Sequence, residues 1–189
     1  VAGTSGIGRI TSFDPGALTS QIAGEVKGFD PAAYLSPKEI KHSEHFVQFA
    51  IAAAKQAVAD AGVQVAREDP FRCGVLIGCG IGSMKLIEQQ AEVLHTRGPQ
   101  KISPFMIPML IVNMAPGQVA MDLGFKGPNS CTATACASGS HGVGEAFRLI
   151  QFGYADIMLG GGTESCITPL TIGGFCALMA LSRRNDQPA

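Results

Sequence analysis

The residue best placed to do chemistry is Cys136, within Thr134-Ala-Cys-Ala-Ser-Gly139. Thr134, Ala135, Ala137 and Ser138 are all small, so no bulky neighbour shields the sulfur. Upstream, residues 128–135 alternate and carry Thr132 and Thr134, which predicts an extended, buried strand. Downstream, Phe147, Leu149, Ile150 and Phe152 form an apolar run interrupted by Arg148, and Gly153 is placed to stop it, so a helix is predicted there. Cys136 thus falls where a strand passes into a helix. A thiol at a helix N-terminus faces unsatisfied N–H groups and the positive end of the dipole. Both favour the thiolate, the nucleophilic form. Gly139, Gly142 and Gly144 each cost a helix about 1 kcal/mol against alanine, which implies that another chain or a ligand comes close. Cys73, Cys79, Cys131, Cys166 and Cys176 have no such setting and are expected to be inert, buried thiols.

A chain of 189 residues can build a substantial core. Hydrophobic residues make up 46% and charged residues 15%, an apolar balance that fits burial against more protein than these residues supply. The net charge of −1 implies neither a nucleic-acid partner nor attraction to a membrane surface, and no apolar run reaches the roughly 18–20 residues of a span. Six cysteines without CxxC spacing argue against a zinc or redox motif. No leader is visible, since Val1 is not an initiator. Free thiols then point to a reducing compartment, the bacterial cytoplasm or an organellar matrix after removal of a transit peptide. No cofactor and no metal are expected.

The elements that must position Cys136 follow from periodicity. Residues 1–45 are rich in glycine, proline and polar turns, and Ser36-Pro-Lys-Glu39 reads as a capped helix start. Residues 46–61 predict a helix with Phe46, Phe49, Ala50, Ala53, Ala57 and Val58 on one face. Cys73-Gly-Val-Leu-Ile-Gly-Cys79 predicts a strand buried on both sides, followed by a helix from Met84 to Thr96. The intervening Gly78-x-Gly80-x-Gly82 lacks the spacing of a dinucleotide fingerprint and reads as a tight turn close to another backbone. Residues 101–109 read as a loop whose Phe105 and Met106 line a pocket or a subunit contact. Residues 110–121 read as a helix interrupted at Pro116-Gly117, residues 156–159 as a strand that ends in Gly160-Gly-Gly162, and Thr163–Cys166 as a loop. Alternating strands and helices imply an α/β fold with a mainly parallel sheet.

The Cys136 segment resembles the nucleophile motif of the β-ketoacyl-acyl-carrier-protein synthases. Ser5-Gly-Ile-Gly-Arg-Ile-Thr-Ser-Phe-Asp14, Gln21-Ile-Ala-Gly-Glu-Val26, Ile102-Ser-Pro-Phe105, Ile111-Val-Asn-Met114 and Ala180-Leu-Ser-Arg-Arg-Asn-Asp186 resemble the type II elongating synthase in the same order. The resemblance implies the thiolase-like fold, with residues 1–189 as a layered α-β-α half of a five-layer αβαβα architecture, lacking the opening strand and the whole C-terminal half. It implies that Cys136 takes an acyl group from a carrier-protein thioester, that its backbone N–H forms part of an oxyanion hole, and that a malonyl-carrier protein then condenses with loss of carbon dioxide. In that family two catalytic histidines and a lysine lie in motifs of the other half, so these 189 residues alone are expected to be inactive. His42, His45 and His95 lie in polar stretches, and His141, five positions after Cys136 on a helix, points away from the sulfur.

Residue by residue, the resemblance makes Ile81 the gate of an acyl pocket and Met106 a pocket wall reaching across a dimer interface. Phe175 becomes the residue packed near the nucleophile, and Ala135 a further contact to substrate. The family usually has an aromatic where Met106 stands, which leaves chain-length preference open. Lys38, Lys41 and Lys101 match basic positions that would dock the acidic carrier protein, while Gln100 and Met179 stand where arginines are common. Strand 129–135 would pair with its twin in a homodimer. Thiolase, polyketide ketosynthase, a non-catalytic chain-length subunit and a plain structural domain remain the alternatives.

Overall fold

The computed structural model describes residues 3–188; Val1 and Ala189, the ends of the expected 1–189 unit, lie outside the described residues, as does Ala2. The chain forms two units, one of Val1–Phe29 with Cys166–Ala189 and one of Asp30–Ser165.

In the smaller unit, strands β1 (Ile7–Arg9) and β2 (Ile22–Gly24) pair antiparallel. Glu25 closes the turn beside them: its carboxylate accepts the N–H groups of Thr11 and Ser12 and the Thr11 hydroxyl at 2.8–3.0 Å. Asn185 joins the two chain segments, taking the Gln21 N–H at 2.8 Å and donating to the Thr19 carbonyl at 3.2 Å. The apolar residues around Gly173-Gly174-Phe175 form a helix, Pro169–Ala177, capped by the Thr168 hydroxyl.

The larger unit opens with α1 (Pro37–Lys41), whose reciprocal Ser36–Glu39 capping box bears out the expected start. Helix α2 (His45–Asp60) follows. Its buried stripe is Phe46, Val47, Ala50, Ile51 and Ala54, whereas Ala53 and Ala57 are exposed. The predicted face is thus rotated, because Val47 and Ile51 bury more apolar surface than the alanines do. Strand β3 (Cys73–Gly78) is buried throughout, as predicted, and leads to α3 (Met84–Arg97). Next come α4 (Met106–Leu110), α5 (Met114–Leu123), β4 (Asn129–Ser130), α6 (Ser138–Gln151) and β5 (Ile157–Gly162).

Strands β4, β3 and β5 form a parallel sheet in that order. Alternation along β3 assigns its two faces. Cys73, Val75 and Ile77 join α2 and α5 in a core with Phe46, Val47, Ile51, Val119 and Phe125. On the other face a side chain at Gly78 would collide with the Ser138 carbonyl of α6. The unit is therefore layered α-β-α, with the sheet in the middle.

Several expectations are corrected. Residues 106–110 are helical rather than loop, and α5 begins at Met114, which places Pro116-Gly117 in its first turn, where proline is tolerated. The strand predicted over 128–135 is regular only at Asn129 and Ser130, both exposed because β4 is an edge with a partner on one side only, although the Thr132 carbonyl still accepts the Cys79 N–H at 3.0 Å. Strand β5 runs on through Gly160-Gly-Gly162, where α6 lies so close that side chains at Gly160 and Gly162 would not fit: a Cβ on Gly160 would sit 2.9 Å from the Ala146 Cβ, and one on Gly162 would sit 2.7 Å from the Gly139 Cα. What comes close to Gly139 and Gly142 is thus this chain's own sheet, while nothing lies within 4 Å of a Cβ on Gly144. The same packing leaves Val143, Phe147 and Ile150 exposed on the outer face of α6.

Candidate active site

Cys136 sits in a 3-10 turn, Ala135–Ala137, that runs directly into α6, so the predicted helix start is borne out, while the strand before it ends at Ser130 rather than Ala135. Its position in the first turn leaves its own N–H without an intrahelical partner. Ala135 has φ +51, in the left-handed region that non-glycine residues rarely occupy. Such strain persists only where surrounding contacts impose it. Here Ser138 supplies them: its hydroxyl accepts the Thr134 N–H at 2.9 Å and donates to the Ala135 carbonyl at 2.7 Å. The Thr132 hydroxyl in turn donates to the Ser138 carbonyl at 2.9 Å.

Of the six free cysteines, Cys136 alone is exposed. Cys73 and Cys79 are buried, as expected, and burial pushes both thiols up, Cys79 to about 12 with the Glu164 carboxylate adding to the effect. Burial also raises Cys131, which is half-buried. Cys166 and Cys176 are also only half-buried rather than buried as expected, and at Cys176 a hydrogen bond with Thr19 lowers the thiol. Both ring nitrogens of His141 face other groups, Nδ1 3.4 Å from the Thr134 hydroxyl and Nε2 4.0 Å from Glu145.

Beside this turn lies the one that follows β3. Its glycine-rich loop is a nest of N–H groups, and its occupant belongs to the chain itself. The Glu164 carboxylate accepts the N–H groups of Gly80, Ile81 and Gly82 at 2.9–3.0 Å, with the Cys79 thiol 3.4 Å away. A second carboxylate, Glu44, accepts the Ser83 hydroxyl at 2.8 Å, and the Ser83 oxygen accepts the Leu86 N–H at 3.2 Å to cap α3. The predicted tight turn is therefore filled rather than open to a phosphate. A Cβ at Gly80 would lie 3.3 Å from the Ala135 carbonyl oxygen, so the two turns touch beside the nucleophile.

Half-buried Ile81 rides on this loop, directly after Gly80, the residue that comes close to Ala135. Met106, also half-buried, begins α4, whose last residue, Leu110, has its carbonyl 2.7 Å from where a Gly82 Cβ would be. The structure thus gathers Ala135, Cys136, Ile81 and the α4 segment into one region. Phe175 belongs to the smaller unit, where it is half-buried on the helix Pro169–Ala177. Lys38, Lys41 and Lys101 are all exposed, and the His42 ring lies 4.2 Å from that of Phe105, which joins the end of α1 to the segment after Lys101.

Sequence reasoning missed Glu164 and Ser138. A signal existed for the first: Glu164 is the only acidic residue between Asp156 and Asp186, stranded in a glycine-rich apolar stretch. For Ser138 the types and spacing alone gave none.

Comparison with known proteins identifies the family. The family model described as "Beta-ketoacyl synthase, N-terminal domain" matches residues 1–189. The chain is 50% identical over 186 residues to a 3-oxoacyl-[acyl-carrier-protein] synthase 2 of Synechocystis sp., covering 98% of this chain and 45% of that protein. It is likewise 50% identical over 188 residues to the synthase of the same name from Coxiella burnetii, covering 100% of this chain and again 45% of the relative. The chain therefore spans about half the length of these curated relatives. Among solved structures, a beta-ketoacyl synthase from Burkholderia phymatum superposes with a TM-score of 0.86 at 27% identity, over 99% of this chain and 46% of the other.

Proposed function

The chain belongs to the β-ketoacyl synthase family, through that family's N-terminal domain, and on that premise we propose that the protein is a 3-oxoacyl-[acyl-carrier-protein] synthase of fatty acid elongation with Cys136 as its nucleophile. The observation that carries the reading is the uncrowded sulfur of Cys136 at the mouth of α6, the only exposed thiol of six. Half-length identity of 50% to synthases of that name supports the reaction class.

In the first half-reaction the Cys136 sulfur attacks the carbonyl of an acyl thioester. A new C–S bond forms, the carrier protein's sulfur leaves, and the proton given up by Cys136 ends on that departing thiol. The negative charge on the carbonyl oxygen is met by backbone N–H, that of Cys136 among them. In the second, a malonyl thioester loses carbon dioxide. The electron pair of the broken C–C bond attacks the acyl-Cys136 carbonyl, and the C–S bond to Cys136 breaks. The sulfur takes up a proton from solvent, and the product is a 3-oxoacyl thioester two carbons longer.

Ile81, Met106 and Ala135 would line the acyl chain's path. Lys38, Lys41 and Lys101 would meet the acidic carrier protein, acyl-loaded in the first step and malonyl-loaded in the second. Edge strand β4 offers unpaired backbone to a twin in a homodimer, continuing the sheet across the axis. The test is Cys136→Ala in the full-length protein. Acylation by an acyl-carrier-protein thioester should vanish together with condensation, and retained condensation would refute the assignment.

A further inference from the structure

We propose that Ser138 is a positioning residue for acyl transfer, one that aims the Cys136 N–H at the thioester oxygen by gripping the carbonyl on the other side of the same peptide bond. The proposal rests on the reading of Cys136 as the acylated nucleophile.

The physical basis is the planarity of the Ala135–Cys136 peptide. Its C=O and N–H point in opposite directions within one plane, so whatever fixes the carbonyl fixes the amide. The Ala135 carbonyl is held twice by one residue, accepting the Ser138 backbone N–H and, at 2.7 Å, the Ser138 hydroxyl. That hydroxyl is buried, and its accepting side is filled by the Thr134 N–H at 2.9 Å, so its proton is committed to Ala135. The Thr132 hydroxyl braces the Ser138 carbonyl from the strand side at 2.9 Å. Ala135 adopts φ +51 under these contacts, a conformation its own side chain disfavours. Without the hydroxyl the Ala135 carbonyl keeps only the Ser138 backbone N–H and the Thr134 N–H loses its acceptor, so the peptide plane is held by one bond instead of two and can tilt, which misaims the Cys136 N–H while leaving the sulfur at the helix mouth.

An oxyanion donor matters only where an oxyanion forms. Thioester acylation develops one on the carbonyl oxygen; displacement of iodide from iodoacetamide at the sulfur does not. Ser138→Ala in the full-length protein is therefore examined in two reactions. Single-turnover acylation by an acyl thioester should slow by about tenfold to a hundredfold with KM within about twofold, the size of effect expected for a misaimed donor. Iodoacetamide alkylation of Cys136 should stay within about threefold, and Ser138→Thr, which keeps the hydroxyl, should return acylation toward wild type. Unchanged acylation in Ser138→Ala overturns the proposal. So does a parallel fall in both reactions, which would make Ser138 a brace for the thiol alone. If Ser138→Ala does not fold, hydrogen exchange of the wild-type Thr134 amide decides: protection supports the grip on the turn, and exchange at the rate of a free amide overturns it. A wild-type protein that is alkylated at Cys136 yet takes no acyl group would instead refute the synthase reading itself.

Discussion

Two turns lie side by side at the carboxyl ends of adjacent parallel strands, and they are finished in opposite ways. The turn after β3 is saturated: three N–H groups converge on Glu164, the neighbouring serine is tied to Glu44, and the thiol at its start is buried. The turn after β4 is held in a left-handed conformation by a buried hydroxyl and leaves its thiol exposed. One turn spends its donors on the fold; the other keeps a reactive atom available. Glycine-rich loop chemistry alone would have pointed to the first as the anion site, and the internal carboxylate rules that out. Reactivity here follows from what a turn leaves unsatisfied rather than from how many donors it has.

The contrast is sharpest in the thiols. At pH 8 a thiol pushed up to about 12, as for Cys79, is only about one part in ten thousand thiolate, and burial also keeps reagents from it, whereas the Cys136 sulfur is exposed. Cys136 should react with iodoacetamide more than about a thousandfold faster than Cys79, read by mass spectrometry of tryptic peptides after timed labelling. Comparable rates at the two sites would erase the distinction between a closed and an open turn.

Glu164 tests the closed turn directly. Three N–H groups and a thiol all face it as donors, so an acceptor-only carboxylate suits the site and an amide does not. Glu164→Gln turns an NH2 toward those donors, and Glu164→Ala leaves them unpaired. Hydrogen bonds to a charged group contribute about 1.5–3 kcal/mol each, so alanine should cost about 3 kcal/mol or more and glutamine somewhat less. Thermal unfolding would show this as a fall of roughly 6–12 °C for alanine. A change under about 1 kcal/mol would mean that the turn keeps its shape without its occupant.

How much of this was legible in the sequence depends on whether a signal was local. The Ser36–Pro37–Glu39 cap, the fully buried run 73–78 and the helix that follows Cys136 are written in consecutive residues, and each formed as predicted. The parallel α/β layering followed from their alternation. What failed was set by distant partners. Gly160-Gly-Gly162 looks like a strand's end until α6 is laid across it. Residues 131–134 alternate like a strand but have no second neighbour to pair with on the edge. The helix 106–110 contains Pro108 and is too short to show a period. Within the site, Cys136 was legible from its small neighbours and the helix beyond. Ser138 and Glu164 were not, because their roles depend on which carbonyl or loop the fold brings to them.

Glu25 repeats the Glu164 device at the surface of the smaller unit and shows what burial adds. Its carboxylate accepts two N–H groups and a hydroxyl from Thr11 and Ser12. Burial works to raise its pKa, yet the hydrogen bonds from Ser12 and Thr11 outweigh it and bring the group down from 4.5 to about 2. A carboxyl lowered in the folded state stabilises above its unfolded value, and that contribution is lost as pH falls through the folded one. The difference in stability between wild type and Glu25→Gln should therefore be constant above about pH 5 and shrink between pH 4.5 and about 2. Because water screens the group, the plateau should be at most about 1 kcal/mol, well below the Glu164 effect. Denaturant unfolding at a series of pH values would measure it. A plateau as large as that of Glu164 would show that donor count, not burial, sets the worth of a filled turn.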